Sequence, residues 1–367
     1  MRRTLATLAI FIFSFTFLLL DTNGVYGFKI ILIERIKFDK NSDLQIIPRS
    51  FCVAEDVLFL IPDYHAGIIK TFDLDENSSK LKFVKEFGVK GFGSDEFNRP
   101  AYCFYNNYYS KFIVADIGKG SKKVFIYDRI GGTDFKLVSK IPGVDCYDMR
   151  LGGEGNQLIV SGFVRDKDKK SYELFSINLE NPGQIDFLLP SHKKYHLANI
   201  EEYQRKYFEE RTLPAIGIKA FIDVIGEGVY FVWEGKLKII KINLKTGKRT
   251  TTFGQPTRHY REPYASTELL KGHRERDYNR NRKERTKMSF VRDIFVTARH
   301  VFVVYEGPTK NNFRMQIYTP EGKFLDDIEI PNNPSQYMWF EKDSYTLYSL
   351  LNAENKGHQI LIYQVNI

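Results

Sequence analysis

Cysteine is scarce in this chain: Cys52, Cys103 and Cys146 are the only three. They allow at most one disulfide, which excludes a stapled scaffold. Their wide spacing fits no short metal-ligand motif, so they read as small buried hydrophobes. Long apolar runs are missing beyond residue 20, and no later segment is apolar enough to cross a membrane. No nucleophile elbow, phosphate loop or dinucleotide fingerprint occurs. Gly-Gly-Glu-Gly at 152–155 and Gly-Lys-Gly at 118–120 lie between strand-like runs, where glycine punctuates turns. The histidines are scattered. The one close pair, His192 and His196, has no nearby Glu of the metalloprotease kind. No catalytic residue, metal site or cofactor is assigned from the sequence.

What the chain does have is a recurring phrase: an apolar run, a turn-forming or charged cluster, then a second apolar run ending in an aromatic or Ile with Asp or Asn beside it. It occurs at Val57–Asp63 with Ile68–Asp73, Phe112–Asp116 with Val124–Asp128, and Leu158–Ser161 with Leu174–Asn178. It returns at Val229–Trp233 with Leu237–Asn243, Val301–Tyr305 with Met315–Tyr318, and Leu347–Leu350 with Ile360–Tyr363. Without two insertions the period is about 45–55 residues, room for four short strands and their turns. The expected fold is all-β: a six-bladed β-propeller of four-stranded antiparallel blades. Abundant Phe and Tyr (30 and 22) suit sheet faces packed on one another. The last unit lacks an outer strand, and Phe28–Phe38 is a strand-like run ahead of the first unit. That N-terminal strand is therefore expected to complete the last blade and hide its edge.

Residues 1–27 read as a secretory signal peptide. Arg2 and Arg3 precede an apolar stretch from Leu5 to Leu20, and Val25-Tyr26-Gly27 suits cleavage. The stretch is interrupted by Thr7, Ser14 and Thr16 and is short for a spanning anchor. A secreted or periplasmic protein is expected, comprising one domain over 28–367, with membrane association open but not integral. The net charge is +9, and it is unevenly spread.

Insertions are expected at about 192–216 and 254–289, both in links between blades and so on one face. In the first, Ile200–Arg211 reads as a short amphipathic helix with Ile200, Tyr203, Tyr207 and Phe208 on one side. The second is basic, with ten Lys or Arg against five Asp or Glu between Arg258 and Lys287. Arg258, Arg261, Arg274, Arg276, Arg280, Arg282, Lys283 and Arg285, interleaved with Tyr and His, suit an anionic protein, peptide or glycan partner. The competing reading is a solvated loop that Glu262, Glu268, Glu275, Asp277 and Glu284 neutralise locally. Nucleic acid is not expected, since no reader motif is present.

At the mouth of the ring, Tyr64, His65, Arg165, Trp233, Glu234, Tyr305 and Glu306 fall at or just past the ends of second strands. Tyr and Trp there would offer flat apolar faces with a polar edge to a small ligand. Acids recur at the same places, as Asp63, Asp116, Glu234 and Glu306. A ring of them would suit Ca²⁺, but Asp in such positions commonly fixes a turn through its side chain, the reading adopted here.

At Phe87-Gly-Val-Lys-Gly-Phe-Gly-Ser-Asp-Glu-Phe-Asn-Arg-Pro100 the chain resembles the inter-blade phrase of NHL-repeat propellers. Thr252-Phe-Gly-Gln-Pro256 and Tyr318-Thr-Pro-Glu-Gly-Lys-Phe324 are partial echoes. The resemblance implies a secreted bacterial six-bladed propeller acting as a binding platform, and it transfers no catalytic residue. The alternative it leaves is a channel-centred, metal-dependent hydrolase or lyase.

Overall fold

The computed structural model describes residues 27–39, 46, 48–55, 58–75, 77–118, 122–152, 155–165, 171–181, 184–190, 219–264, 267–275, 277–309, 312–332, 334–335, 337–353 and 357–367. Strand β1 (Lys29–Phe38) comes first. It is followed by β2 (Cys52–Ala54), β3 (Leu58–Asp63), β4 (Ile68–Asp75) and β5 (Lys80–Phe87). Then come four antiparallel sheets of four strands each. They are β6 (Pro100–Asn106), β7 (Lys111–Asp116), β8 (Lys123–Gly131) and β9 (Asp134–Pro142), then β10 (Asp145–Gly152), β11 (Gln157–Arg165), β12 (Ser171–Asn178) and β13 (Ile185–Pro190). The next is β14 (Ala220–Ile225), β15 (Gly228–Trp233), β16 (Lys236–Asn243) and β17 (Arg249–Phe253). Two short helices, α1 (Thr267–Arg274) and α2 (Tyr278–Arg285), precede β18 (Phe290–Val296), β19 (Val301–Glu306), β20 (Phe313–Tyr318) and β21 (Phe324–Glu329). The chain ends with β22 (Met338–Glu341), β23 (Thr346–Ala353) and β24 (Gly357–Asn366). The predicted helix at 200–211, and the pair His192 and His196, lie outside the described residues.

Burial explains why each strand takes its place. Second and third strands are buried on both faces because a sheet lies on each side of them: β3, β7, β15 and β20 are buried over nearly their whole length, Arg314 and Gln316 of β20 included. Outer strands alternate instead. In β5 and β9 every second residue points to solvent, as the period of two in Lys-Leu-Lys-Phe-Val-Lys-Glu-Phe requires. Apolar clusters then join each sheet to its neighbour. Leu58, Leu60 and Ile69 meet Phe112, Val114 and Phe125, Ile113 and Val124 meet Leu158 and Phe175, and Ile159 and Leu174 meet Ile222 and Phe231. Tyr230 and Val232 meet Val301 and Tyr318, and Phe302 and Met315 meet Phe340 and Leu361. Finally Leu350 and Ile360 meet Phe59 and Phe72. The last contact returns to the first strands, so the arrangement is β-propeller-like.

β1 makes the closure. It pairs antiparallel with β24 from Lys29↔Asn366 to Lys37↔Gln359, burying Ile30 and Ile36. On its other edge its last residues pair in parallel with β5 through Lys37↔Lys80 and Phe38↔Leu81. That second pairing, which the sequence reading did not foresee, merges the first and last strands into one eight-stranded sheet, ordered β2-β3-β4-β5-β1-β24-β23-β22.

The segment that resembles the NHL phrase folds as a tight loop between β5 and β6. Phe97 donates its N–H to Val89 and accepts from Gly91, both at 2.8 Å. Gly88 has φ +88°, and a Cβ there would stand 2.5 Å from the Phe97 ring, so only glycine fits. Among the described residues no helix is long and apolar enough to cross a membrane.

Candidate functional site

The first strands of the sheets surround a cavity of about 590 Å³. Residues of β6, β10, β14, β18 and β22 line it, together with Arg49–Phe51 just before β2. A volume of this size accepts a small organic ligand. Arg49, Tyr102, Arg292 and Tyr337, near the beginnings of these strands, mark one mouth. Asn107, Tyr108 and Asp343, beyond their ends, mark the other.

A charged hub fills the middle. The Arg150 guanidinium on β10 stands 2.5 Å from Asp148, 3.6 Å from Asp223 on β14 and 3.5 Å from Asp293 on β18. Lys342 Nζ adds a 2.7 Å ion pair to Asp223. Each aspartate accepts the backbone N–H of the residue after it, at 2.8 Å. Two also reach across to the next sheet: Asp148 Oδ2 accepts from Ile222 N (2.9 Å) and Asp223 Oδ2 from Val296 N (2.6 Å). The hub thus ties three consecutive sheets together at the axis. Breaks in strand register at Cys146/Asp148 and Val291/Asp293 show how adjacent residues such as Arg292 and Asp293 both come to line the cavity.

Burial sets the hub's protonation. It raises the Asp148 carboxyl above the ordinary range, with Arg150 and the Ile222 and Met149 amides pulling the other way. It raises Asp293 further, and Asp148 adds to the effect. Burial also opposes the charge on Arg150, but Asp148, Asp293 and Asp223 outweigh it and hold the guanidinium more firmly protonated than usual. The sign for stability follows. A carboxyl whose pKa is higher folded than unfolded binds its proton more tightly in the native state. It therefore favours the native state at acid pH, and that contribution is lost as pH rises from the unfolded value through the raised one. Asp293→Asn should flatten this fall, so that in urea titrations the variant gains on the wild type as pH climbs from 4 to 8. An unchanged slope would remove Asp293 as its source.

The sequence-nominated mouth residues divide. Glu234 and Glu306 converge on Arg292, at 2.9 and 2.5 Å. Tyr64 lies under two guanidinium groups, those of Arg49 (4.7 Å) and Arg99 (5.5 Å), with His65 edge-on beside it at 5.3 Å. Trp233 and Tyr305 turn into the protein instead. Trp233 is 4% exposed and donates its indole N–H to Glu173 at 2.9 Å. Tyr305 is fully buried, its hydroxyl donating to Asp327 at 2.8 Å and its ring against Tyr260. For Arg165 the described structure extends only to the backbone, at the end of β11. Asp63 and Asp116 fix turns: Asp63 accepts from His65 and Ala66, and Asp116 from Asn98, Arg99 and Gly118.

The basic insertion is folded and anchored. Tyr260, Leu269 and Met288 are buried, and Asp277 caps α2 by accepting from Arg280 N at 3.0 Å. Arg280 pairs with Glu275 at 2.6 Å and lies near Glu268 and Asp277, so its charge is met within the insertion. Arg285 stacks over Phe290, which also carries Arg292. Arg258, Arg261, Arg282 and Lys283 remain exposed. The side chains of Arg274 and Arg276 lie outside the described residues. The cysteines sit on first strands as free, buried thiols, and Cys103 lines the cavity.

Sequence reasoning missed Arg150, Asp148, Asp223, Asp293 and Arg292. One signal was available: Asp148-Met, Asp223-Val and Asp293-Ile each place an aspartate just before an apolar residue in the first strand of three successive units.

No family model matches the chain, and no curated protein matches it. Among solved structures it is similar to a Bacteroides fragilis protein described as exported, with 14% identity, covering 95% of this chain and 98% of that one, at a TM-score of 0.56. A Lactobacillus plantarum protein aligns at 10% identity over 87% of this chain and 85% of its own, with a TM-score of 0.44. At 14% identity the first likeness speaks for the fold alone.

Proposed function

We propose that this chain is an exported six-bladed β-propeller that works as a binding module, taking a small ligand or a partner's side group into the mouth marked by Arg49, Tyr102, Arg292 and Tyr337. The observation that carries this reading is one cavity of about 590 Å³ lined from the first-strand region of every successive unit. Dividing the eight-stranded sheet between β5 and β1 gives six four-stranded units, which supports the blade count. Export rests on the character of residues 1–27 and accords with the exported description of the Bacteroides fragilis neighbour. The Phe87–Pro100 loop supports kinship with NHL-repeat propellers. Exposed Arg258, Arg261, Arg282 and Lys283 give the same face a basic flank for an anionic partner.

The test is a thermal-shift screen of small polar metabolites against the wild type and against Tyr102→Ala/Tyr337→Ala. Ligands that bind the native state raise its melting temperature, by a free energy of about 2.7 kcal/mol at a hundred times Kd. The wild type should yield stabilising ligands whose effect the double variant loses. Ligands that stabilise both proteins equally would place binding elsewhere.

A further inference from the structure

The mouth carries more positive charge than its own carboxylates answer. Arg292 takes both acids there, Glu234 and Glu306. Arg49 meets only the face of Tyr64 at 4.7 Å, and Lys219 Nζ lies 6.0 Å over the ring of Tyr102. Among the described residues neither has a carboxylate within ion-pair distance. The chain itself holds these groups together: Glu234 N donates to Lys219 O at 2.7 Å and Val291 N to Glu234 O at 2.8 Å. That fixes the start of β14, the turn after β15 and the start of β18 around one point. Arg49 and Tyr102 line the cavity opposite them.

We propose, on the reading given under Proposed function, that the space between Arg49 and Lys219 is a subsite for the carboxylate of a small organic ligand. Three cations (Arg49, Lys219 and Arg292) face two carboxylates (Glu234 and Glu306), leaving one surplus positive charge that a monoanion matches and a phosphate dianion overshoots. Arg99, exposed and 3.4 Å from the Tyr64 hydroxyl, lies further out along the rim. The electrostatics agree. Burial lowers the Lys219 pKa, Glu234 opposes that, and Arg292 and Arg49 push the same way as burial. A bound carboxylate would give Lys219 the counter-charge it lacks. The ammonium supplies a compact point charge and Arg49 a planar fork, a combination suited to the two oxygens of a carboxylate.

The experiment compares matched pairs of small carboxylates and their primary amides, benzoate with benzamide and cyclohexanecarboxylate with its amide, using NMR saturation transfer and competition. Inorganic phosphate forms a third arm. The acids should bind at least tenfold more tightly than the amides. Lys219→Met should erase that preference, and Lys219→Arg should keep most of it. In a second measurement, acylation of Lys219 by acetic anhydride at pH 7 should be slowed by benzoate and not by benzamide, which needs no variant to fold. Equal binding of acids and amides, a Lys219→Met protein that still prefers acids, or tighter binding of phosphate would overturn the carboxylate subsite. If amides bind and Tyr102→Ala abolishes it, the mouth still binds ligands and only this inference falls. If no probe responds to any mouth substitution, both readings fall.

Discussion

Arg150→Met should cost the protein about 3–5 kcal/mol of unfolding free energy, the penalty for stranding buried charges by removing one partner. Three carboxylates converge on this one guanidinium, and it is 13% exposed at the side chain. Methionine replaces the bulk over Phe104, where the guanidinium sits at 5.4 Å, but none of the charge. Asp148 and Asp293 would then take up protons, so the loss should be largest at alkaline pH and shrink toward pH 4. Adding Asp293→Asn to Arg150→Met should restore part of the stability, because one stranded charge disappears. Lys342→Met should cost less, since its side chain is 38% exposed and its partner Asp223 keeps Arg150 nearby. Urea unfolding at several pH values distinguishes these outcomes. An Arg150→Met protein as stable as the wild type would mean that the hub does not hold the first strands together.

A chain starting after Phe38 should fail to give a stable monomer. Without β1, ten-residue β24 becomes an open edge along its whole paired length, and such edges recruit other chains. Ile30 and Ile36 also leave the clusters that join the last strands to their neighbours on either side. Burying each contributes roughly 1.5–3 kcal/mol, and the backbone pairing adds to that. The truncated protein should aggregate or form strand-swapped oligomers in size-exclusion chromatography. A synthetic peptide spanning Phe28–Phe38 added during refolding should recover monomer. A monomeric truncated protein with an unchanged melting temperature would show that β1 is dispensable.

The fold was legible because its pattern is local. A second strand such as β7 is apolar from Phe112 to Ala115 since it is covered on both faces, whereas β5 alternates because one face is wet. β1 was legible by elimination, as the last unit lacked an outer strand. Its parallel contact with β5 was not, because it joins the outer strands of two different units over only two residue pairs, Lys37↔Lys80 and Phe38↔Leu81. Helices α1 and α2 were hidden for a different reason. α2, Tyr-Asn-Arg-Asn-Arg-Lys-Glu-Arg, has almost no apolar face, so its sequence shows charge without period. The basic insertion was expected as a partner-binding segment or a solvated loop, and Tyr260 and Leu269 anchor it in the protein.

The candidate site was legible only where a turn ends a second strand. Glu234 and Glu306 were nominated as strand-end residues and the structure brings both to Arg292, while Tyr64 lies beside Arg49 and Arg99, neighbours the sequence did not indicate. Trp233 and Tyr305 occupy equivalent sequence positions but face the interior between sheets, because strand ends there are still covered. The hub had only a faint signature, an aspartate before an apolar residue in three successive first strands, and nothing local marked Arg150 as their partner. Arg150, Asp223 and Asp293 come from three separate units, and only ring closure brings them within reach of one another.

Closure is therefore the claim on which the channel, the hub and the mouth all depend. Amide hydrogen exchange read by mass spectrometry tests it most directly, following peptides from Lys29–Phe38 and Gly357–Asn366. The account predicts that both exchange slowly and at the same rate, opening together only when the whole sheet opens. Fast exchange throughout β1 while β24 stays protected, or protection of β1 that survives loss of protection in β24, would contradict it.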